Sequence, residues 1–134
     1  MVMITKLMSD MDKERRGVWF DYELGIRLRI ARFNNSDYLS ALRKLLEPHQ
    51  SKIRRGMMSA EEVDKIAVAA VARHILTDWS GIDDEEGKPL TYSVSKAEEY
   101  LADAKLHDLY TFVLEKSRDA AAFRREDTEE AKGN

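Results

Sequence analysis

The hydrophobic pattern of the chain changes its period at Asn34 and Asn35, and this change limits the possible folds more than any other feature. Before it, apolar side chains alternate with arginines over residues 26–30, which is typical of a half-buried strand. After it, large side chains recur at helical spacing: Tyr38, Leu39, Leu42, Leu45 and Leu46. The sequence therefore predicts a β-hairpin over residues 18–32, a helix N-cap in the Asn34 to Ser36 turn and helices from there on.

Further helix signals follow. Ser59 and Glu62 form a capping box, and apolar residues at a spacing of three or four then predict a helix over residues 59–79. Ser93 or Ser95 begins a later helix, and the last amphipathic pattern runs to Phe123. We predict a mainly α fold, a single compact helical domain of four to five helices with a small β-hairpin near the N-terminus.

The length of 134 residues corresponds to one domain. We divide it into an N-terminal segment, residues 1–16, that is helical or mobile, a globular domain, residues 17–123, and a flexible charged tail, residues 124–134. The tail contains no large apolar residue, so a chain that ends at Phe123 is expected to keep most of its partner binding.

Charge is distributed unevenly along the chain. Residues 1–56 carry 12 Lys and Arg against 7 Asp and Glu, whereas residues 57–134 carry 10 against 18. The two halves can attract each other within one fold or between chains, which leaves a homo-oligomer open. Acidic residues interrupt the basic ones throughout, and this disfavours nucleic acid as a partner. No apolar run approaches the roughly 18 residues of a membrane span, and no secretory signal is recognisable, so we expect a cytoplasmic protein without a membrane partner.

The sequence contains no recognisable catalytic constellation. It has no cysteine, and its three histidines are far apart. The acidic loop at residues 83–86 fails as a calcium loop, because Ile82 and Ser93 occupy the first and last ligand positions. Glycine-rich phosphate loops are also missing. We therefore predict no enzyme activity, no cofactor, no metal site and no catalytic residue.

Candidate partner-binding residues come from the aromatic and basic hairpin and from one later tryptophan. They are Trp19, Phe20, Tyr22, Arg27, Arg29 and Trp79. Tryptophan and arginine are common interface anchors, although a core position is favoured for both tryptophans. Met57 and Met58 are interpreted as core fillers. The methionines at positions 1, 3, 8 and 11 form a Met-rich segment that can dock on a partner.

Two blocks of the sequence resemble tail assembly chaperones of long-tailed bacteriophages. The first runs from Trp19 to Arg32 and continues to Asn34, Asn35 and Tyr38. The second, at residues 75–93, contains the segment Asp78-Trp79-Ser80-Gly81-Ile82, then Gly87, Pro89 and the pair Tyr92-Ser93. With the final helix near Phe123, the resemblance covers about residues 17–123.

The resemblance implies a non-enzymatic assembly factor of the host cell cytoplasm that is absent from the mature virion. Members of this family are thought to bind the tape measure protein, keep it soluble and recruit tail tube subunits, the major tail protein, around it. A longer frameshift product of the same gene is a further implied partner. The alternative from the residues alone is a small nucleic-acid-binding regulator that uses the Arg-rich hairpin.

Overall fold

A computed structural model describes residues 1–125 of the chain. This part contains six α-helices, α1 to α6, and three β-strands, β1 to β3, joined by short 3₁₀ turns. In chain order they are α1 (Met11–Arg16), β1 (Val18–Asp21), β2 (Arg27–Ile30), α2 (Ser36–Leu46), α3 (Gln50–Arg54), α4 (Ala60–His74), β3 (Leu76–Ser80), α5 (Val94–Ala102) and α6 (His107–Ser117).

The predicted hairpin is present as strands β1 and β2. They pair antiparallel, with Val18 opposite Ile30 and Asp21 opposite Arg27. The turn uses two residues in the left-handed region, Leu24 at φ 56° and Gly25 at φ 81°, a conformation that favours glycine. Leu28 and Ile30 are fully buried, so one face of the hairpin covers the core, as the alternating pattern predicts.

The hairpin is part of a three-stranded antiparallel sheet in the order β1-β2-β3, which corrects the prediction of a hairpin alone. The predicted helix over residues 59–79 ends early for the same reason, because α4 stops at His74 and Leu76–Ser80 becomes β3. Leu28 lies opposite Trp79 in this sheet. The apolar spacing of Leu76–Ser80 also fits a helix. These residues form a strand instead, because the free edge of β2 supplies partners for their backbone hydrogen bonds.

The core lies between the sheet and the helices. Helix α4 packs on α2, on α5 and on β3. Its buried side includes three alanines, Ala69, Ala70 and Ala72, and such small side chains let neighbouring elements approach closely. Helices predominate among residues 1–125, in agreement with the mainly α prediction.

Polar caps set the helix starts. The Oδ1 of buried Asn35 accepts from the Tyr38 backbone N–H at 2.9 Å, and its Nδ2 donates to the backbone oxygens of Arg32 and His74. Ser59 caps α4 and Ser93, rather than Ser95, caps α5. The last helix ends at Ser117, and a 3₁₀ turn, Ala120–Phe123, follows it.

The two ends of the described chain lie side by side. Ser9 and Arg124 form an antiparallel bridge, and α1 contacts the 3₁₀ turn Ala120–Phe123. Residues 8–16 are thus attached to the end of the globular part. Most of the predicted flexible tail, residues 126–134, lies outside the described residues.

Among residues 1–125, no helix is long and apolar enough to cross a membrane.

Candidate partner-binding surfaces

The outer face of the sheet carries Trp19, Arg27 and Arg29. Trp19 is 37% exposed, and the Arg27 Cζ lies 5.5 Å from the centroid of its ring in a cation–π contact. Arg27 Nε also donates to Asp21 Oδ1 at 3.0 Å. This part of the predicted site is therefore on the surface, but its aromatic ring and its cation already contact each other.

The arginines of the hairpin region have separate surroundings. Arg29 stands opposite Asp78 in the sheet register, and its buried Nε has no hydrogen-bond partner. Arg32 donates to Ser9 Oγ at 2.7 Å and lies 3.5 Å from a carboxylate oxygen of Glu14. These arginines do not form one free basic patch of the kind that phosphate binding needs.

Phe20 and Tyr22 face the body of the protein. Lys116 Nζ lies 5.8 Å from the centroid of the Phe20 ring, and the Tyr22 ring is 4.6 Å from that of Phe112. Burial, and then the nearby Glu23 carboxylate, raise the pKa of Tyr22. Both side chains are half-buried, so they tie the hairpin to α6 and leave only part of their surface for a partner.

Trp79 is a core residue with 6% of its surface exposed. Its Nε1 donates to the Leu90 backbone oxygen at 2.9 Å. Its ring meets Tyr92 edge-on at 5.0 Å and stacks with Tyr100 at 5.8 Å. With its polar group satisfied and its faces covered, Trp79 offers almost no surface to a partner, which corrects its place among the candidate binding residues.

Tyr92 fixes the position of this aromatic cluster. Its hydroxyl lies 2.7 Å from the Leu76 backbone oxygen and 3.0 Å from that of Ala72, and its single proton can be donated to either. Burial, and secondarily the Asp78 carboxylate, raise the pKa of Tyr92 to about 12. The tyrosine thus joins the end of α4 to the start of β3.

The most exposed apolar region is at the N-terminus. We call this set the N-terminal apolar surface: Met1, Val2, Met3, Ile4, Leu7, Met8 and Met11. Met8, the least exposed of these side chains, is still 43% exposed. Seven exposed apolar side chains within the first eleven residues are unusual for a free surface and typical of a protein interaction site. The sequence signal for this surface was the spacing of its methionines, whereas Val2, Ile4 and Leu7 were not among the candidate residues.

A smaller exposed apolar group surrounds the connection between α3 and α4. It consists of Ile53, Met57 and Val63, which are all exposed. Met57 therefore does not fill a core gap, which corrects its interpretation from the sequence. Met58 is half-buried.

A shallow groove of about 320 Å³ lies between α4 and the start of α6. Val68 and Leu101 line it together with Asp64, His107 and Tyr110. Burial, followed by the neighbouring Tyr38 and Asp64, raises the pKa of Tyr110. Among the described residues no group of three or more histidines and carboxylates is placed to hold a metal ion.

Comparison with protein families adds the origin of the chain. The family of the YdaY prophage protein matches residues 33–134. The chain belongs to this family. The protein is therefore phage-derived. The match begins after β2, so it includes Trp79 but neither the N-terminal apolar surface nor the hairpin. The same kind of comparison finds no match among curated proteins or among solved structures.

Proposed function

We propose that this phage-derived protein is a tail assembly chaperone without enzyme activity. It binds the tape measure protein in the host cytoplasm, keeps it soluble and promotes assembly of the tail tube around it, without becoming part of the mature virion. Two findings of different origin support this proposal. The sequence resembles such chaperones over about residues 17–123, and residues 33–134 match a prophage protein family.

The observation that carries the proposal is the exposure of the N-terminal apolar surface. A long helical client has apolar faces that must be shielded from water until assembly, and a chaperone shields them by offering apolar side chains of its own. Methionine suits this role because its flexible, polarisable side chain adapts to different neighbours. Three methionines of this surface, Met1, Met3 and Met11, are each at least 65% exposed.

Charged residues around this surface fit a protein client. Asp12 pairs with Arg16 at 3.1 Å, and Arg15 pairs with Asp37 at 3.1 Å. Exposed pairs of this kind add little stability, but they keep an apolar binding region soluble. The tail tube protein, a longer frameshift product and a second copy of the chain are further partners of the proposed assembly.

The alternative, a nucleic-acid-binding regulator, has weaker support from the geometry. Its binding surface would be the Arg-rich hairpin, where Asp21 pairs with Arg27 and Asp78 stands opposite Arg29. Each of these carboxylates reduces the positive potential that attracts phosphate groups. A salt-dependent gel shift with duplex DNA and with RNA tests this alternative directly.

The main experiment is co-expression with the tape measure protein of the same prophage. The unmodified chain should keep this client soluble without ATP, and the two should elute together on size exclusion. A variant with Met3→Ser, Ile4→Ser and Leu7→Ser should lose the client by more than tenfold in affinity while it remains folded. Leu24→Ser is the matched control, because Leu24 is 97% exposed but lies at the hairpin turn.

Three outcomes would contradict the proposal. They are a requirement for ATP, equal client binding by the N-terminal triple variant and the control, and complete dissociation of the complex at about 0.5 M salt with the fold intact. Apolar contacts survive such salt. Attraction between exposed charges is weakened, because the Debye screening length is only about 3–5 Å at this salt concentration. Salt-induced dissociation would indicate an electrostatic binder instead.

A further inference from the structure

Residues 8–10 and 123–125 pair as two short antiparallel segments. The Asp10 backbone N–H donates to the Phe123 oxygen at 2.7 Å, and the Arg125 backbone N–H donates to the Met8 oxygen at 3.1 Å. Ser9 stands opposite Arg124 between these two bonds. We call this pairing the terminal clasp. It holds the N-terminal apolar surface next to the last described residues of the chain.

Only one side of the terminal clasp is fixed by burial. Phe123 is fully buried, so residues 123–125 start from an anchored position. Residues 4–7 and α1, on the other side, contain no buried residue. The N-terminal apolar surface is therefore held against the body by hydrogen bonds rather than by packing of its own side chains.

Further hydrogen bonds, from side chains and from the backbone, strengthen the same attachment. Lys13 Nζ donates to the Arg124 backbone oxygen at 3.2 Å. The guanidinium of Arg32 donates to Ser9 Oγ at 2.7 Å. The backbone N–H of Arg32 donates to the backbone oxygen of Glu14 at 2.9 Å. These bonds come from two separate segments, the connection after β2 and the C-terminal segment, and both converge on residues 8–14.

We propose that the terminal clasp positions the N-terminal apolar surface for the client, and that opening the clasp switches client binding off. This inference rests on the proposed function. An apolar segment that is already held in place loses less conformational freedom when it binds. A segment held mainly by hydrogen bonds can open locally without unfolding the core. Any change that breaks the hydrogen bonds of residues 123–125 should therefore weaken client binding.

The clasp also changes the expectation for a chain that ends at Phe123. Such a chain lacks Arg124, whose oxygen accepts from Lys13, and Arg125, whose backbone N–H donates to Met8. We now expect this truncated chain to lose client affinity although its core remains folded.

The first test removes one backbone donor. Arg125→Pro eliminates the N–H that bonds to Met8, whereas Arg125→Ala removes only the side chain and serves as the control. Arg124 has φ −72° and ψ 156°, a conformation that tolerates a following proline. We expect the Asp10 amide to exchange about 2- to 10-fold faster in the proline variant than in the alanine variant, with a similar loss of client affinity.

The second test locks the clasp. Ser9 and Arg124 form the non-hydrogen-bonded type of antiparallel pair, because the bonds run from their neighbours. Such pairs place their Cα atoms about 4.5 Å apart, within the range of about 4.4–6.8 Å that a disulfide bridges. The chain has no cysteine of its own, so Ser9→Cys with Arg124→Cys has only one intramolecular pairing. We expect the oxidised variant to bind the client at least as tightly as the same variant after reduction.

The results that would reject the role of the clasp differ from those that would reject the proposed function. If the oxidised variant loses the client, or if Arg125→Pro accelerates exchange without weakening binding, the clasp does not have the proposed role. Equal exchange of Asp10 in the two Arg125 variants would also overturn it. Failure of the unmodified chain to bind the tape measure protein, with the Asp10 amide protected, would instead reject the proposed function and with it the control of client binding by the clasp.

Discussion

The aromatic cluster around Trp79 and the N-terminal apolar surface both consist of large, mainly apolar side chains, but they differ in how far these are exposed. Trp79 is 6% exposed, and its indole N–H is satisfied by the Leu90 oxygen. Ile4 and Leu7, in contrast, are 68% and 56% exposed. The difference lies in what surrounds each region, because strands and helices enclose the cluster whereas hydrogen bonds at one edge hold the N-terminal surface. The cluster should therefore control stability, and the N-terminal surface should control binding.

The largest effect is expected for Trp79→Ala. Removing this side chain loses its transfer free energy and leaves a cavity, at a cost of about 3–5 kcal/mol in the free energy of unfolding. Urea unfolding followed by circular dichroism measures this change. Client binding should decrease only as far as folding does. A stable variant that has lost the client would place Trp79 at the interface. The Trp79 cluster and the N-terminal apolar surface would then both control binding.

Tyr92→Phe should have an intermediate effect. It removes the hydroxyl that bonds to the Leu76 or Ala72 oxygen and leaves whichever of these carbonyls accepted its proton with one partner fewer, which costs about 1–3 kcal/mol. Urea unfolding at neutral pH tests this value. An unchanged free energy of unfolding would mean that the hydroxyl does not help to join α4 to β3.

Tyr92 should also make stability depend on alkaline pH. Its pKa in the folded protein is about 12, raised from 10.0. Because the unfolded chain deprotonates first, stability is full below about pH 10 and decreases as the pH rises towards 12. Unfolding at a series of pH values should show a shallower decrease for Tyr92→Phe than for the unmodified chain. Parallel pH profiles would contradict the assignment to Tyr92.

Trp19→Ala should cost much less than Trp79→Ala. Trp19 is 37% exposed and contacts Arg27, and an exposed cation–π contact contributes about 0.5–1 kcal/mol. The two variants differ in one tryptophan each and can be compared in the same unfolding experiment. Equal losses would show that the outer face of the sheet is as important for stability as the core.

The smallest effect on stability is expected at the N-terminal apolar surface. Leu7→Ser should change the free energy of unfolding by about 0.5 kcal/mol or less, because this exposed side chain has little packing to lose. Native-state hydrogen exchange sharpens the comparison, since amides of residues 63–79 should be more strongly protected than those of residues 1–7. Protection of residues 1–7 equal to that of α4 would contradict it.

Parts of the fold could be predicted because local signals there agree. Strands β1 and β2 follow the two-residue alternation, α2 follows the buried Asn35 cap, and Ser59 starts α4 where the capping box places it. The end of α4 could not be predicted in this way. Residues 75–79 have apolar side chains at a spacing that suits a helix, and only the free edge of β2 makes a strand the better solution.

The candidate site was less predictable than the fold. Trp19 and Arg27 lie on the surface, whereas Trp79, also a tryptophan, lies in the core. Composition does not distinguish these two tryptophans, since burial depends on the elements that surround each ring. The Met-rich spacing of the N-terminal segment was visible, but its exposure was not.

The sequence by itself determined the helix caps, the hairpin and the absence of cysteine, because these depend on near neighbours in the chain or on composition alone. The tertiary structure decided the third strand, the burial of Trp79 and the terminal clasp, since each needs a contact between distant segments. The clasp joins Met8 to Arg125, and backbone hydrogen bonds of this kind carry almost no side-chain signature that a sequence pattern could display.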